Sequence, residues 1–189
     1  PAQRKAMEKA LMKVRSEFSN EYPIVIGGEE IRTNEKFDSF NPSKPSQSVG
    51  VFQKANVDLA NKAVEAAARK FEEWKWTEPK KRAEYLFKAA KLMRIRKYEF
   101  SAVMVYEVGK TWPEADADTA EAIDFLEFYG REMLRLSGPQ PVTKIPTEKS
   151  ELRYVPLGVG VVVPPWNFAL AILAGMTSAA IVAGNTVVL

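Results

Sequence analysis

The 189-residue chain contains neither cysteine nor histidine. Without cysteine it has no disulfide, no thiolate nucleophile and no sulfur-ligated metal. Without histidine it has no imidazole base, no His-bearing triad and none of the common zinc ligand sets. Any acid–base or nucleophilic step within these residues falls to Asp, Glu, Lys, Tyr, Ser or Thr, each of which needs a perturbed environment to act near neutral pH. A dominant charge is also missing: 27 Lys and Arg stand against 24 Asp and Glu, interspersed along the chain, for a net +3. The basic groups Lys80, Lys81, Arg82 and Arg94, Arg96, Lys97 lie in helical patterns and read as solvated faces, so no nucleic-acid partner is expected. No run reaches the roughly 18 uninterrupted apolar residues of a membrane helix, and the basic N-terminus lacks a signal-peptide apolar stretch. The expectation is a soluble cytoplasmic protein with no membrane partner and no metal site. Pro1 in place of Met suggests trimming or an omitted beginning.

The apolar fraction of 46% is ordinary for a folded domain, and the length suits one domain better than two. Met7, Leu11, Val14 and Phe18 fall on one stripe of an amphipathic N-terminal helix. Ile24-Val25-Ile26, Gly27-Gly28 and Glu29-Glu30-Ile31 read as a hairpin whose turn uses the positive φ open to glycine. An Asn-Pro turn closes the segment 37–45, and Val49-Gly50-Val51-Phe52 suggests another short strand. Asp58 offers an N-cap to a helix burying Leu59, Ala63, Val64, Ala67, Phe71 and Trp74. Pro79 suits the first turn of the next, in which Ala83, Leu86, Phe87 and Ala90 follow the helical period and the charged residues lie opposite. A helix over 98–108 would stop at Gly109 in left-handed geometry. Another would open at Pro113, carry Ala120, Ile123, Leu126, Gly130 and Leu134 at helical spacing, and end near Ser137-Gly138-Pro139. Trp74, Trp76 and Trp112 read as core or interface anchors.

Beyond residue 138 the pattern changes. The loop holding Pro139, Pro141 and Pro146 is the best linker, and 151–155 alternates like an exposed strand. Residues 159–163 suggest a buried strand, 169–183 a helix apolar nearly all round, and Thr186-Val187-Val188-Leu189 a second strand. Strand, crossover helix and strand make the opening unit of a parallel sheet. Pro164-Pro165-Trp166-Asn167-Phe168 follows the first of these strands, at the carboxyl end where open α/β sheets bind ligands.

This segment resembles the part of the NAD(P)-dependent aldehyde dehydrogenase superfamily that holds its PWNF motif. Glu107-Val108-Gly109-Lys110-Thr111 is similar to the superfamily's E-x-G-K element. The stretch EADADTAEAIDFLEFY, residues 114–129, looks like the bacterial 1-pyrroline-5-carboxylate dehydrogenases, which oxidise L-glutamate γ-semialdehyde to glutamate with NAD. The resemblance implies an α/β fold, the N-terminal part of an aldehyde-dehydrogenase-like architecture: a helical block plus the first strand–helix–strand unit of a Rossmann-like sheet. The expected organisation is an N-terminal helix over 1–21, the N-terminal part of an NAD-binding domain over 22–137, a linker with an oligomerisation-type strand over 138–157, and the truncated start of the sheet over 158–189.

In that family a Cys thiolate attacks the aldehyde, hydride passes to the nicotinamide and a Glu helps water hydrolyse the thioester. By resemblance, Asn167 is the catalytic oxyanion-hole donor. Phe168 packs on the aliphatic part of the substrate, and Pro165 and Trp166 line the nicotinamide ribose side of the cofactor. Glu121 borders the substrate entrance, where a carboxylate attracts the α-ammonium. The residues alone leave other readings open. Glu114, Asp118 and Glu121 share one helical stripe that by spacing is more often solvated. Asn167 in such a turn often bonds its own backbone, and Glu107 to Lys110 is most simply a helix C-cap. The resemblance puts the catalytic Cys, general-base Glu and pyrophosphate glycines beyond Leu189. The chain is therefore expected to be the N-terminal portion of a longer NAD-dependent enzyme, NADP not excluded, working as a homo-oligomer on a small-molecule substrate, and to be inactive alone. Rival readings are another semialdehyde dehydrogenase, or a short non-catalytic protein pairing through its strand edges with a full-length dehydrogenase.

Overall fold

The computed structural model describes residues 2–189 and has a mixed α/β architecture. Helix α1 (Ala2–Ser16) buries Met7, Ala10 and Val14 against Ala102 of α4 (Lys97–Glu107), with Leu11 and Phe18 packed at the margin. Glu99 reinforces this docking by bonding both Arg96 and Lys13. Strands β2 (Ile24–Ile26) and β3 (Glu29–Ile31) form the expected hairpin, its turn supplied by Gly27 and Gly28 at φ 62° and 90°. Strands β1 (Glu21–Tyr22) and β4 (Lys36–Phe40) flank β5 (Ser48–Gln53), parallel on one side and antiparallel on the other.

Helix α2 (Val57–Trp74) is capped by Asn56, whose side chain accepts from the Leu59 N–H, and not by Asp58. Asn56 is extended at φ −100°, ψ 179°, as a capping residue must be, whereas Asp58 is already helical. Val64 is 45% exposed, and Ala66 takes its expected place on the half-buried face. Helix α3 (Pro79–Ile95) starts with Pro79 as anticipated. Arg82 departs from expectation: it is buried at 4% exposure and belongs to no solvated basic face. Its position follows that of Ala83, Leu86 and Ala90 on the buried side, and its length lets the guanidinium bond the Val182 and Thr77 carbonyls.

Helix α5 (Trp112–Ser137) is the spine on which α3, α4 and α6 (Ala171–Val182) pack. Ile123 and Leu126 of α5 share a core with Ala83, Leu86 and Ala90 of α3 and Val182 of α6. Two close approaches set these distances: Gly130 meets the Phe87 ring and Gly175 the Phe125 ring. Ala120 and Leu134 lie outside the buried face of α5. Among the tryptophans, Trp74 anchors α2 by donating to the Ile181 carbonyl at 2.8 Å, whereas Trp76 is 80% exposed and anchors nothing within the chain.

Strands β6 (Val159–Val161) and β7 (Thr186–Val188) pair in parallel around α6, giving the expected strand–helix–strand unit. Strand β6 is not buried, however. Val161 and Val163 are exposed while Val162 is covered, because α2 covers one face of this two-stranded sheet. Residues 151–155 form no strand; among the described residues no partner strand lies beside them, and a ladder needs one. Their continuation is tied down where Asn185 Oδ1 accepts from the Leu157 and Gly158 amides. Among the described residues no helix is long and apolar enough to cross a membrane.

Candidate active site

The ladder of β6 stops before Pro164 and Pro165, which have no N–H to extend it. The chain then makes a single 3-10 turn, Trp166–Phe168, and enters α6. This turn stands proud of the protein: Trp166 is 81% exposed and Phe168 43%. The Asn167 amide makes no hydrogen bond among the described residues, so the backbone-bonded reading does not hold and its N–H groups remain open to a ligand.

What fixes the turn comes from elsewhere. No side chain of its own segment caps α6. Asp118 does so from the neighbouring α5, its Oδ1 accepting from the Ala171 N–H at 2.7 Å. A carboxylate at this end also complements the helix dipole. Asp118 is only 2% exposed, and its second oxygen lies 2.6 Å from Lys110 Nζ. Lys110 is aimed inward by the end of α4. There Gly109 takes φ 70°, the left-handed turn that glycine adopts without strain, and the Lys110 N–H closes the helix on the Met104 carbonyl. The helix C-cap reading is therefore right for the backbone, but the Lys110 side chain pairs with Asp118. Its ammonium also lies 4.8 Å from the centroid of the Phe168 ring, a cation–π contact worth about 0.5–2 kcal/mol. Removing one member of such a buried ion pair costs about 3–5 kcal/mol, because the other charge is left uncompensated.

Trp166, Asn167 and Phe168 line a cavity of about 450 Å³ together with Lys110, Glu114 and Glu121. That volume suits a small metabolite. The acidic stripe of α5 divides into three roles. Glu114 completes a capping box with Thr111, whose hydroxyl and amide hold its carboxyl below the usual range. Asp118 is buried in the ion pair. Glu121 is exposed and makes no ion pair among the described residues, so it is the carboxylate of the stripe left to act on a ligand. The structure thus brings Glu121, Asn167 and Phe168 to one cavity, with Pro165 beside the turn. It also shows Lys110 and Asp118 in the same assembly, which the sequence reading had not placed there. The signal for Asp118 was present in the period of α5, since Ala115, Ala122 and Leu126 put residues 118 and 119 on the buried face.

A hollow of about 410 Å³ between α1, α4 and α5 holds none of these groups, and its charged residues are already paired, Lys97 with Asp116 at 2.8 Å and Arg4 with Glu8 at 3.0 Å. Among the described residues no cluster of three or more acidic groups is placed to hold a metal ion.

With this geometry in view, the relatives are informative. The 1-pyrroline-5-carboxylate dehydrogenase of Geobacillus sp. (strain WCH70) is 53% identical over 188 residues, covering all of this chain and 36% of that protein. A solved 1-pyrroline-5-carboxylate dehydrogenase from Thermus with bound NAD is 51% identical and superposes with a TM-score of 0.93 over 97% of this chain and 36% of its own. Proline utilization A from Bdellovibrio bacteriovorus is 42% identical with a TM-score of 0.95, over 98% of this chain and 19% of that one. The chain thus spans about a third of the length of the curated relatives it matches. The aldehyde dehydrogenase family model matches residues 30–189, through both the α5 stripe and the Trp166–Phe168 turn, and the chain belongs to that family.

Proposed function

We propose that this chain serves as the amino-terminal portion of an NAD-dependent enzyme that oxidises L-glutamate γ-semialdehyde to L-glutamate in proline and arginine catabolism. The observation that carries this reading is the cavity whose lining includes the carboxylate of Glu121, the amide of Asn167 and the ring of Phe168. The substrate offers the matching chemistry: an α-ammonium for Glu121, a short aliphatic chain for Phe168 and a carbonyl oxygen for Asn167. As the carbonyl carbon becomes tetrahedral its oxygen gains charge, and the Asn167 amide donates to it. One such donor lowers the barrier by about 2.7–4 kcal/mol.

The residues present also fit a nicotinamide cofactor on one side. Pro165 and the broad exposed indole of Trp166 present an apolar surface at the carboxyl end of β6. Asp118 occupies the first amide of α6 and caps that helix end. When bound, NAD accepts the hydride of the aldehyde. The nucleophilic thiolate would come from outside these residues, since the chain has no cysteine, as would the general-base Glu by the family resemblance, and the chain alone is expected to be inactive. The exposed segment 138–157 would serve as a linker that gains a strand partner in a homo-oligomer, between the N-terminal part of an NAD-binding domain over 22–137, with its hairpin and helices, and the sheet that begins at 158.

NADH formation by the full-length enzyme carrying this segment, assayed with glutamate, succinate and aminoadipate semialdehydes, tests the proposal. Glutamate semialdehyde is expected to give the highest kcat/KM, and Glu121→Gln to reduce that preference. Equal or better turnover of either other aldehyde would refute the substrate assignment.

A further inference from the structure

The Trp166–Phe168 turn presents a difficulty if it is to place an oxyanion donor. Its side chains are exposed, and the Asn167 side chain makes no hydrogen bond among the described residues. A donor must nevertheless be held to within a fraction of an ångström, because a misplacement of about 1 Å can cost on the order of 100-fold in rate. Packing within the turn does not supply that restraint. Two contacts from other elements do: Asp118 accepts from the Ala171 amide, three residues past Phe168, at 2.7 Å, and Lys110 Nζ sits 4.8 Å from the Phe168 ring centroid. The two are one unit, since Lys110 and Asp118 pair at 2.6 Å with side-chain exposures of 14% and 1%.

We propose that the buried Lys110–Asp118 pair is a positioning device that sets the orientation of Asn167 and Phe168. Asp118 fixes where α6 begins, and Lys110, held upright by Asp118, fixes the plane of Phe168. Lys110 also neutralises Asp118, so that the negative field in the cavity comes from Glu121 and from the capping carboxylate of Glu114. Lys110 does not itself bind substrate, since its ammonium is turned into the pair. This inference rests on the role proposed above for Asn167 and Phe168, and it makes Lys110 and Asp118 positioning residues for that site.

Two measurements test it with Lys110→Met, Lys110→Arg and Asp118→Asn. In the 189-residue chain, hydrogen exchange at the Ala171 amide is expected to rise at least about tenfold in Lys110→Met and Asp118→Asn, while amides in the middle of α6 keep their rates. Lys110→Arg, which preserves the cation, should restore protection. In the full-length enzyme, Lys110→Met should lower kcat between about 10- and 100-fold while leaving KM for NAD unchanged, and Lys110→Arg should recover most of the loss. A merely structural pair would reduce the yield of folded protein or its Tm without this split and without rescue. If Asp118→Asn fails to fold, the comparison of Lys110→Met with Lys110→Arg decides the question. Unchanged exchange at Ala171, or a kcat within about twofold of the parent, overturns the inference. A parent enzyme that makes no NADH from glutamate semialdehyde overturns the substrate reading instead, and the exchange measurement still decides whether the pair holds the turn.

Discussion

Helix α6 carries the Asn167 turn on its N-terminal end, and at its C-terminal end a buried cation joins the Trp74 indole and the Asn185 amide in bonding the last carbonyls. Arg82 Nε donates to the Val182 carbonyl at 2.8 Å, and a second nitrogen donates to the Thr77 carbonyl in the loop between α2 and α3. No carboxylate pairs with Arg82 among the described residues, and burial pushes its guanidinium down from the ordinary arginine value. It remains charged, given how far that value lies above neutrality. Replacing Arg82 with methionine removes two charge-assisted hydrogen bonds of about 1.5–3 kcal/mol each and leaves two carbonyls to find other partners. Against this stands relief from burying an unpaired charge, together with apolar contact from a side chain of similar length. The net is a destabilisation of about 2–4 kcal/mol, since partner loss at a buried charged site outweighs the recovered packing. Urea denaturation of the chain, followed by far-ultraviolet circular dichroism, would register this as a midpoint lowered by about 1–2 M for a slope near 2 kcal/mol/M. Arg82→Lys, which keeps the charge but fewer donors, should fall between parent and Arg82→Met. A midpoint shift below about 0.3 M for Arg82→Met would refute the view that this cation secures the end of α6.

Further predictions concern the packing around the spine and the docking of the first helix. A Cβ added at Gly130 would lie 2.5 Å from Phe87 Cε1 and 2.9 Å from Cζ. The gain of about 1 kcal/mol in helix propensity on Gly130→Ala is therefore outweighed by overpacking of about 1–3 kcal/mol, and Tm measured by calorimetry should fall by a few degrees. The Glu99 carboxyl is pulled down to about 2 from its ordinary value of 4.5, first by Arg96 and then by Lys13. Because the folded value lies below the unfolded one, the stability it contributes is fully present above 4.5 and is lost as the pH falls from 4.5 toward 2. Denaturation midpoints measured across that window should decline, and Glu99→Gln should flatten the part of the decline that comes from the α1–α4 contact.

The elements that were legible in the sequence are those whose partners lie close along the chain. The Gly27-Gly28 hairpin, the Pro79 and Gly109 boundaries and the β6–α6–β7 unit depend on local turn chemistry and hydrophobic period, and the structure has them where the sequence put them. The errors arise where a distant partner decides. Arg82 falls in a basic group that reads as a solvated face and Asp118 in a stripe that by spacing is more often solvated, yet the period of their own helices places both on buried faces, where a carbonyl 100 residues away and an amide 53 residues away satisfy them. Strand β6 looked buried because it is a β-branched run, but one of its faces has no cover in this chain. Residues 151–155 alternate like a strand and lack a partner. For the site, the resemblance pointed to Asn167, Phe168 and Glu121. That they share one cavity, and that Lys110 and Asp118 support it, follows from the packing of α5 against α6 and was not readable from spacing.

The account stands most directly on Asn167. The full-length enzyme bearing Asn167→Ala should oxidise glutamate semialdehyde with kcat lowered by about 10²–10³-fold and with KM for NAD unchanged, because the amide is engaged mainly as the carbonyl oxygen gains charge. A kcat within about threefold of the parent would contradict it.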